Sequence, residues 1–417
     1  MQRRRSSPGA ATVEGAKLAL SSRARCVGVL TSGGDCPGLN AALRGVVKPA
    51  LSDFHIEVIG IEKGFRGLVE NHSRVLHLQD VSGILSAGGT ILGTSREKPH
   101  RMPLPNGKTV DLTPRAVETY HRLGLDCLVC LGGNGTHKVT YNLMQRGLNV
   151  LGLPKTIDND IAETDLSFGH DSAVTTAAEA IDRLHSTAEA HLRVMVIELM
   201  GHKVGWLTLA AGLAGGADII LIPEIPYDLD SICQHLTERR RRGKWFSIVA
   251  VAEGAAPKQA QPSDNLVAAL AVAEKKEAKK ARKKAHKADK ADKEARARNG
   301  FQGPNGAPAE PSRVDDRPSS SVAMAITQRL GIDTRVTVLG YLQRGGVATP
   351  FDRVLATRFG THAAELLAKG TYNRMVCLQG AEVTSVPIEQ VAGKIKQVPP
   401  DHPLVRAARR VGTNFGD

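Results

Sequence analysis

Three times in its first 161 residues this sequence runs an apolar segment of strand length straight into a loop rich in glycine or carboxylate, and that alternation leaves few folds open. The segments are Cys26–Leu30 followed by TSGGDCPGLN, Cys127–Leu131 followed by GGNGT, and Val150–Leu153 followed by PKTIDNDI. Each is apolar throughout rather than alternating, which suits strands covered on both faces, as in a parallel sheet. Helix-length stretches separate them, AALRGVVKPAL after the first being one. Strand, loop and helix in repetition describe a doubly wound α/β sheet, whose loops at the carboxyl ends of the strands form the ligand edge.

The loops carry the chemistry. Gly33 and Gly34 precede a helix, so backbone N–H groups and the positive end of the helix dipole can converge on an anion; no GKS or GKT follows, which excludes a Walker A loop. Gly132, Gly133 and Gly135, with Thr136 behind them, cost conformational entropy that makes sense where a ligand or another backbone comes close. Gly88 and Gly89, in SAGGTILGTSREKP, repeat the theme and place Arg96 to reach a polyphosphate. PKTIDNDI sets Asp158 and Asp160 two residues apart beside Lys155 and Thr156. Such a cluster can bind a metal, accept a proton and neutralise phosphate oxygens, as phosphoryl transfer to a hydroxyl requires. Asp-Asn-Asp is equally a turn former, and the tetrad alone allows either reading.

With 417 residues, 42 of them glycine and only 4% aromatic, the chain has the length for two or three cores and the turn-rich make-up of an α/β protein. A net charge of +13 would argue for nucleic acid if it covered the globular surface; residues 1–25 carry +5 of it and residues 274–298 carry +7. The basicity therefore belongs to two appendages. Residues 1–22 read as a basic mobile arm, and 259–319 as a Lys/Ala-rich then Gly/Pro-rich insertion, a solvated helix or disordered linker. Its favoured role is solubilising, and contact with nucleic acid is open only through this segment. No apolar run approaches the roughly 20 residues of a membrane span and no apolar signal core follows Arg3, Arg4 and Arg5, so the expectation is a cytoplasmic protein without membrane contact. Cys127 and Cys130 make a CxxC inside a strand, where residues three apart face opposite ways, which disfavours a redox or zinc role.

The second half repeats the pattern. RVMVIELMGHKVG is a strand with Arg193 at its start and Met200, Gly201 and His202 at its end; IILIPEIP delivers Glu224 to a strand end; VTVLGYLQRGG brings Tyr341, Gln343 and Arg344 to a Gly-rich turn. A second α/β unit is expected to face the first, with substrate in the cleft.

Taken in order, TSGGDCPGLNAALRGVV, GGNGT, PKTIDND, VIELMGHKVG, AGLAGGADIILIPE and VLGYLQRGG resemble the motifs of the 6-phosphofructokinase family, over about residues 24–255 and 320–395. The resemblance implies two Rossmann-like parallel-sheet units facing each other across an active-site cleft. A phosphoryl-donor domain would span 23–168 and be completed by about 345–393; a fructose 6-phosphate domain would span 169–258 and be completed by about 320–344 and 394–417. It implies transfer of a phosphoryl group from ATP, with Mg²⁺, to the 1-hydroxyl of fructose 6-phosphate. Asp158 would be the base. Thr156 and Arg96 would hold the transferring group, with Gly34, Glu97, Gly133, Asn134, Gly135 and Thr136 on the rest of the donor and Asn134 and Asp160 at the metal. Arg193, Arg335 and Arg344 would bind the 6-phosphate, and Thr156, Ile157, Met200, Gly201, His202, Glu224, Tyr341, Leu342 and Gln343 would surround the sugar. Arg193 and Arg335 are expected from a neighbouring subunit, which implies a homodimer or homotetramer.

The sequence departs from the commonest bacterial ATP-using pattern. Asn134 stands in place of an Asp, Lys155 in place of Gly, and Tyr341 and His202 in place of a His and an Arg. Lys155 is similar to the pyrophosphate-using branch, whereas Gly135 is similar to ATP users, a combination that resembles the mixed-substrate subgroup. Gly135 decides for ATP here, because an Asp there would crowd and repel a nucleotide. The same reaction with pyrophosphate, and a catalytically weak regulatory protein on the same scaffold, are the alternatives. A lipid or NAD kinase shares a GGDGT-like loop but not PKTIDND.

Overall fold

The structure, a computed structural model, describes residues 24–258 and 317–417. The basic arm at 1–22 and all but the last three residues of the expected 259–319 insertion lie outside the described residues.

The first half of the chain contributes strand β1 (Cys26–Thr31), helix α1 (Leu39–Ser52), β2 (Glu57–Ile61), α2 (Phe65–Glu70), β3 (Ser73–Val75) and the two-residue strands β4 (Met102–Pro103) and β5 (Thr109–Val110). It continues with α3 (Thr113–Arg122), β6 (Cys127–Gly132), α4 (Asn134–Met144), β7 (Val150–Pro154) and α5 (His170–Ala190). Then come β8 (Val194–Leu199), α6 (Trp206–Ala214), β9 (Ile219–Leu221), α7 (Leu229–Arg241) and β10 (Ser247–Ala252). After residue 317 follow α8 (Pro318–Leu330), β11 (Thr334–Val338), α9 (Pro350–Lys369), β12 (Arg374–Gln379), β13 (Glu382–Pro387) and α10 (Pro403–Arg410).

Two compact units share these elements. One takes the chain through Ala177 together with Tyr341–Gln397; the other takes Ala178–Gly340 together with Val398–Asp417. The first holds a seven-stranded sheet in the order β13-β12-β7-β6-β1-β2-β3. Its middle strands are parallel, and β3 and β13 close the edges antiparallel. Thr31 pairs with Leu131 and Gly132 with Pro154, so β1, β6 and β7 end level and their loops emerge side by side. The strands read as fully apolar because both faces are covered: β6 and β7 are buried at every position. Cys127 and Cys130 belong to that core, and burial pushes the Cys130 thiol up to about 12, which leaves it inert.

The second unit is a four-stranded parallel sheet, β11-β8-β10-β9, around a core that includes Val196, Leu221, Val249 and Ile326. The strand expected over 219–226 is short, Ile219–Leu221, since Pro223 and Pro226 remove ladder donors.

The first unit runs on through Ala177 rather than 168 and its returning segment through Gln397 rather than 393, and two further boundaries differ from those read in the sequence. The chain passes into the first unit at Tyr341 rather than after 344, because Gln343 is fully buried there and the Arg344 guanidinium donates to the Asp35 carbonyl at 3.1 Å. The insertion ends before Pro318: Ser319 is buried in α8 and its hydroxyl bonds the Glu198 carboxylate. Among the described residues no helix is long and apolar enough to cross a membrane.

Candidate functional site

At the carboxyl edge of the seven-stranded sheet, three loops are hydrogen-bonded into one surface. The Ser32 amide donates to the Leu131 carbonyl at 2.9 Å, and the Thr136 hydroxyl returns to the Ser32 carbonyl at 3.3 Å. The Lys155 amide donates to the Gly132 carbonyl at 3.1 Å, and its ammonium bonds the Gly34 carbonyl. Lys155 is buried, and burial followed by the neighbouring Arg344 charge pulls its pKa below the ordinary lysine value. The Arg344 guanidinium packs against Gly34, its Nη1 2.7 Å from where a Cβ would stand, so a side chain there would have to displace the end of Arg344. Gly88, expected to serve a ligand, instead makes room for backbone: a Cβ there would stand 2.6 Å from the Gly346 carbonyl oxygen.

Gly133 precedes α4 and its side-chain-free position offers no cap, and no acidic residue stands in the helix's first turn. The Thr136 and His137 amides turn back on the Gly133 carbonyl, so the outward donors of this terminus are those nearest Asn134 and Gly135. His137 is no acid or base: burial and then the Lys155 charge hold it down to about 3, so it is neutral.

Asn134 reaches the third loop. Its Nδ2 donates to the Asp160 carboxylate at 2.6 Å and to the Asp160 carbonyl at 3.0 Å, while its Oδ1 is buried without a hydrogen-bond partner. An orphaned amide oxygen beside a carboxylate is a pair of hard oxygen donors, which suits Mg²⁺. Among the described residues no three His, Cys, Asp or Glu gather as a complete metal cage, so phosphate oxygens and water would have to fill the remaining positions.

The loop from Thr156 to Phe168 closes on itself. Thr156, buried, donates its amide to the Phe168 carbonyl at 3.3 Å, and its hydroxyl accepts from the Asp158 amide at 3.1 Å. Ile157 is fully buried, and its carbonyl meets His170 Nδ1 at 2.7 Å. Asn159, between the two carboxylates, sits at φ 51 and accepts from the Ser167 amide at 3.1 Å and from Lys396 Nζ at 3.1 Å. Neither His170 nor Lys396 stood out in the sequence, because both lie outside any strand-end loop.

Arg96 is exposed beyond this edge. Glu97 accepts from Arg66 at 3.4 Å with one oxygen and has the other buried without a partner. Lys98, also missed, overhangs the second loop: its Nζ would lie 3.6 Å from a Cβ on Gly135. Tyr341 and Leu342 are 73% and 71% exposed, unlike their neighbour Gln343.

In the second unit the expected sugar residues fall at two opposite sheet edges. Met200, Gly201 and His202 follow β8, where Gly201 takes φ 143, and the His202 amide donates to Glu253 at 2.8 Å. Glu224 follows β9 at the same edge; its Oε1 accepts from the amides of Gly205 at 3.1 Å and Val398 at 3.0 Å, and its Oε2 is buried without a partner. Arg193 precedes β8 and Arg335 is the second residue of β11, so both lie at the amino edge. The carboxylate of Asp333 clamps them, 3.1 Å from Arg193 and 3.0 Å from Arg335. Arg193 Nε is left buried without a partner. Six residues of β8 separate the two edges, about 20 Å at roughly 3.3 Å per residue.

Residues 26–367 match the sequence profile of the family described as Phosphofructokinase. The chain is 57% identical over 397 residues to the ATP-dependent 6-phosphofructokinase of Spirochaeta thermophila, covering 94% of this chain and 98% of that protein. It is 47% identical over 391 residues to the ATP-dependent 6-phosphofructokinase of Propionibacterium freudenreichii, covering 94% and 99%. Among solved structures it is similar to Pichia pastoris phosphofructokinase in the T-state, with a TM-score of 0.68 and 31% identity; the match covers 89% of this chain but only 38% of that one.

Proposed function

The chain belongs to the phosphofructokinase family, and from that premise we infer that it transfers the terminal phosphoryl group of ATP to the 1-hydroxyl of fructose 6-phosphate, yielding fructose 1,6-bisphosphate for glycolysis in the cytoplasm. The observation that carries this reading is the convergence at one sheet edge of Gly33–Asp35, Gly133–Thr136 and Lys155–Asp160, two glycine-rich turns bonded to each other and to the loop that holds the carboxylates. The Gly33 amide itself donates to the Ser95 carbonyl at 2.8 Å, which leaves the anion-binding donors to the rest of these turns.

In this reading Asp158 takes the proton of the 1-hydroxyl as its oxygen bonds the terminal phosphorus and the bond to the bridging oxygen of ADP breaks. The hydroxyl is a poor nucleophile, so a carboxylate within reach helps as the bond forms. Thr156 and Arg96 hold the transferring group; Gly34, Glu97, Gly133, Asn134, Gly135 and Thr136 hold the remainder of the nucleotide. Asn134 and Asp160 are the residues that would hold Mg²⁺, which when bound neutralises charge on the phosphate oxygens. Catalysis is then mostly positioning and charge compensation.

Glu224, with a free buried oxygen, receives a sugar hydroxyl near Met200, Gly201 and His202. Arg193, Arg335 and Arg344 receive the 6-phosphate, with the exposed Tyr341 and Leu342 lining the remaining approach; Ile157 and Gln343, expected beside the sugar, are fully buried and offer it no surface. The opposite-edge placement of Glu224 and the Arg193–Asp333–Arg335 clamp supports a site completed by arginines of a neighbouring copy, hence a homodimer or homotetramer. A coupled assay with fructose 6-phosphate, Mg²⁺ and either ATP or pyrophosphate tests the reaction. ATP turnover is expected; a kcat/KM higher with pyrophosphate refutes the donor, and turnover with neither refutes the function.

A further inference from the structure

Between Asp158 and Asp160 the backbone makes a turn that a non-glycine residue adopts at a cost. Asn159 is buried at φ 51, in the left-handed region, so the turn that separates the two carboxylates is one few non-glycine residues adopt. Something must hold it there, and the sequence-distant segment before the last helix does so. Lys396 Nζ donates to Asn159 Oδ1 at 3.1 Å, to the Thr164 carbonyl at 2.8 Å and to the Asp165 carbonyl at 2.8 Å. An ammonium has three N–H donors, and three loop oxygens receive them. The Lys396 amide adds a fourth bond, to the Asp160 carbonyl at 2.8 Å. One residue thus grips the loop at Asn159, Asp160, Thr164 and Asp165.

The grip continues to the neighbouring loop. Asp160, held from behind by the Lys396 amide, presents its carboxylate to Asn134 Nδ2 at 2.6 Å. Asn159 Oδ1 also accepts the Ser167 amide at 3.1 Å, and Ser167 Oγ donates to the Thr156 carbonyl at 3.0 Å, so the turn and the Thr156 end of the loop share one network.

We propose that Lys396 is a positioning residue for phosphoryl transfer: through Asn159 and Asp160 it fixes where the Asp158 and Asp160 carboxylates stand. The proposal rests on Asp158 being the base. Burial draws the Lys396 ammonium down to about 8, while Asp165 and then Asp160 favour its charge, and His170 faces it from the start of α5. A half-buried cation whose three donors all meet oxygens of this loop holds the loop by geometry.

The test compares Lys396→Met, which keeps the stem and removes the donors, with Asn159→Gly, which keeps the left-handed turn and removes the acceptor, and with the double variant. Kinetics are measured below each protein's melting temperature. Misplacement of a catalytic group by about 1 Å can cost on the order of 100-fold, so each single variant is expected to lose 10- to 100-fold in kcat with both KM values within about threefold. The double variant is expected to be no slower than about twofold below the worse single, because both break one link. If Lys396→Met does not fold, Asn159→Gly carries the test by itself. A kcat within threefold of wild type in either folded single variant, or KM values rising in step with the kcat loss, overturns the proposal. Asp158→Asn is run alongside: if it too keeps its kcat, the base assignment has failed, whereas its loss with Lys396→Met intact sinks only the positioning role.

Discussion

Two weakened variants should restore one another. Glu224 and the Arg193–Asp333–Arg335 clamp occupy opposite edges of one four-stranded sheet, about 20 Å apart along the six residues of β8. That span exceeds a hexose phosphate, so if a sugar on Glu224 binds its phosphate through these arginines, as proposed, they belong to another copy. Glu224→Gln keeps an oxygen for the Gly205 and Val398 amides and replaces the unpartnered, charged Oε2 by a neutral donor. Arg335→Ala deletes a guanidinium that, at 59% exposure, carries little of the fold. Each loses a charge-assisted contact of roughly 1.5–3 kcal/mol, or on the order of 10- to 100-fold in kcat/KM for fructose 6-phosphate. When the two variants are co-expressed in equal amounts and assemble at random, each site draws Glu224 from one chain and Arg335 from another. About a quarter of the sites then hold both intact residues, whether the ring is a dimer or a tetramer. The assay is fructose 6-phosphate turnover by the mixed oligomer, with mass analysis to show that subunits have mixed. Recovery to about a quarter of wild-type activity is expected; mixed oligomers no more active than the parents would mean that each chain uses its own arginines, or that these arginines do not bind the sugar phosphate.

Asp158→Asn should lower kcat on the order of 100-fold while leaving KM for the sugar phosphate nearly unchanged, and a kcat within threefold of wild type removes Asp158 from the mechanism. Gly135→Asp should cut ATP kcat/KM far more than pyrophosphate kcat/KM: a carboxylate about 4 Å from a phosphate costs up to about 4 kcal/mol at an effective dielectric near 20, and Lys98, 3.6 Å from the new Cβ, offsets part of it. Equal losses with the two donors would show that position 135 does not choose between them. Deleting residues 259–316, which stops short of the buried Ser319, should keep activity within a fewfold and remove any salt-sensitive RNA binding by the intact chain; failure to fold would show that the segment packs.

The fold was legible because its signal is local. A strand buried on both faces has to be apolar at every position, so Cys127–Gly132 and Val150–Pro154 declare themselves, and the glycines at their ends declare the loops. Where local signals conflict with packing, the reading slipped. IILIPEIP is apolar enough for an eight-residue strand, but its prolines end the ladder after Leu221. Gly88 has the composition of a ligand loop and serves a backbone crossing with Gly346. Nothing in the residues near 341 says which sheet they join; the Arg344 bond to Asp35, 309 positions away in sequence, decides it.

The same logic separates the parts of the site that sequence reveals from those it hides. The groups proposed to meet substrate sit at strand ends, so the pattern that gives the strands also points to Asp158, Asn134 and Glu224. Groups that hold those residues in place need only be near in space. Lys396 lies 237 positions from Asn159, and Asp333 is one acid among many until the pairing of β8 with β11 sets it between Arg193 and Arg335. An amino-edge arginine pair also carries a meaning that no motif holds. Its distance from Glu224 follows from the direction of the strands, and that direction, rather than the identity of the residues, is what the proposal of a site shared between two copies rests on.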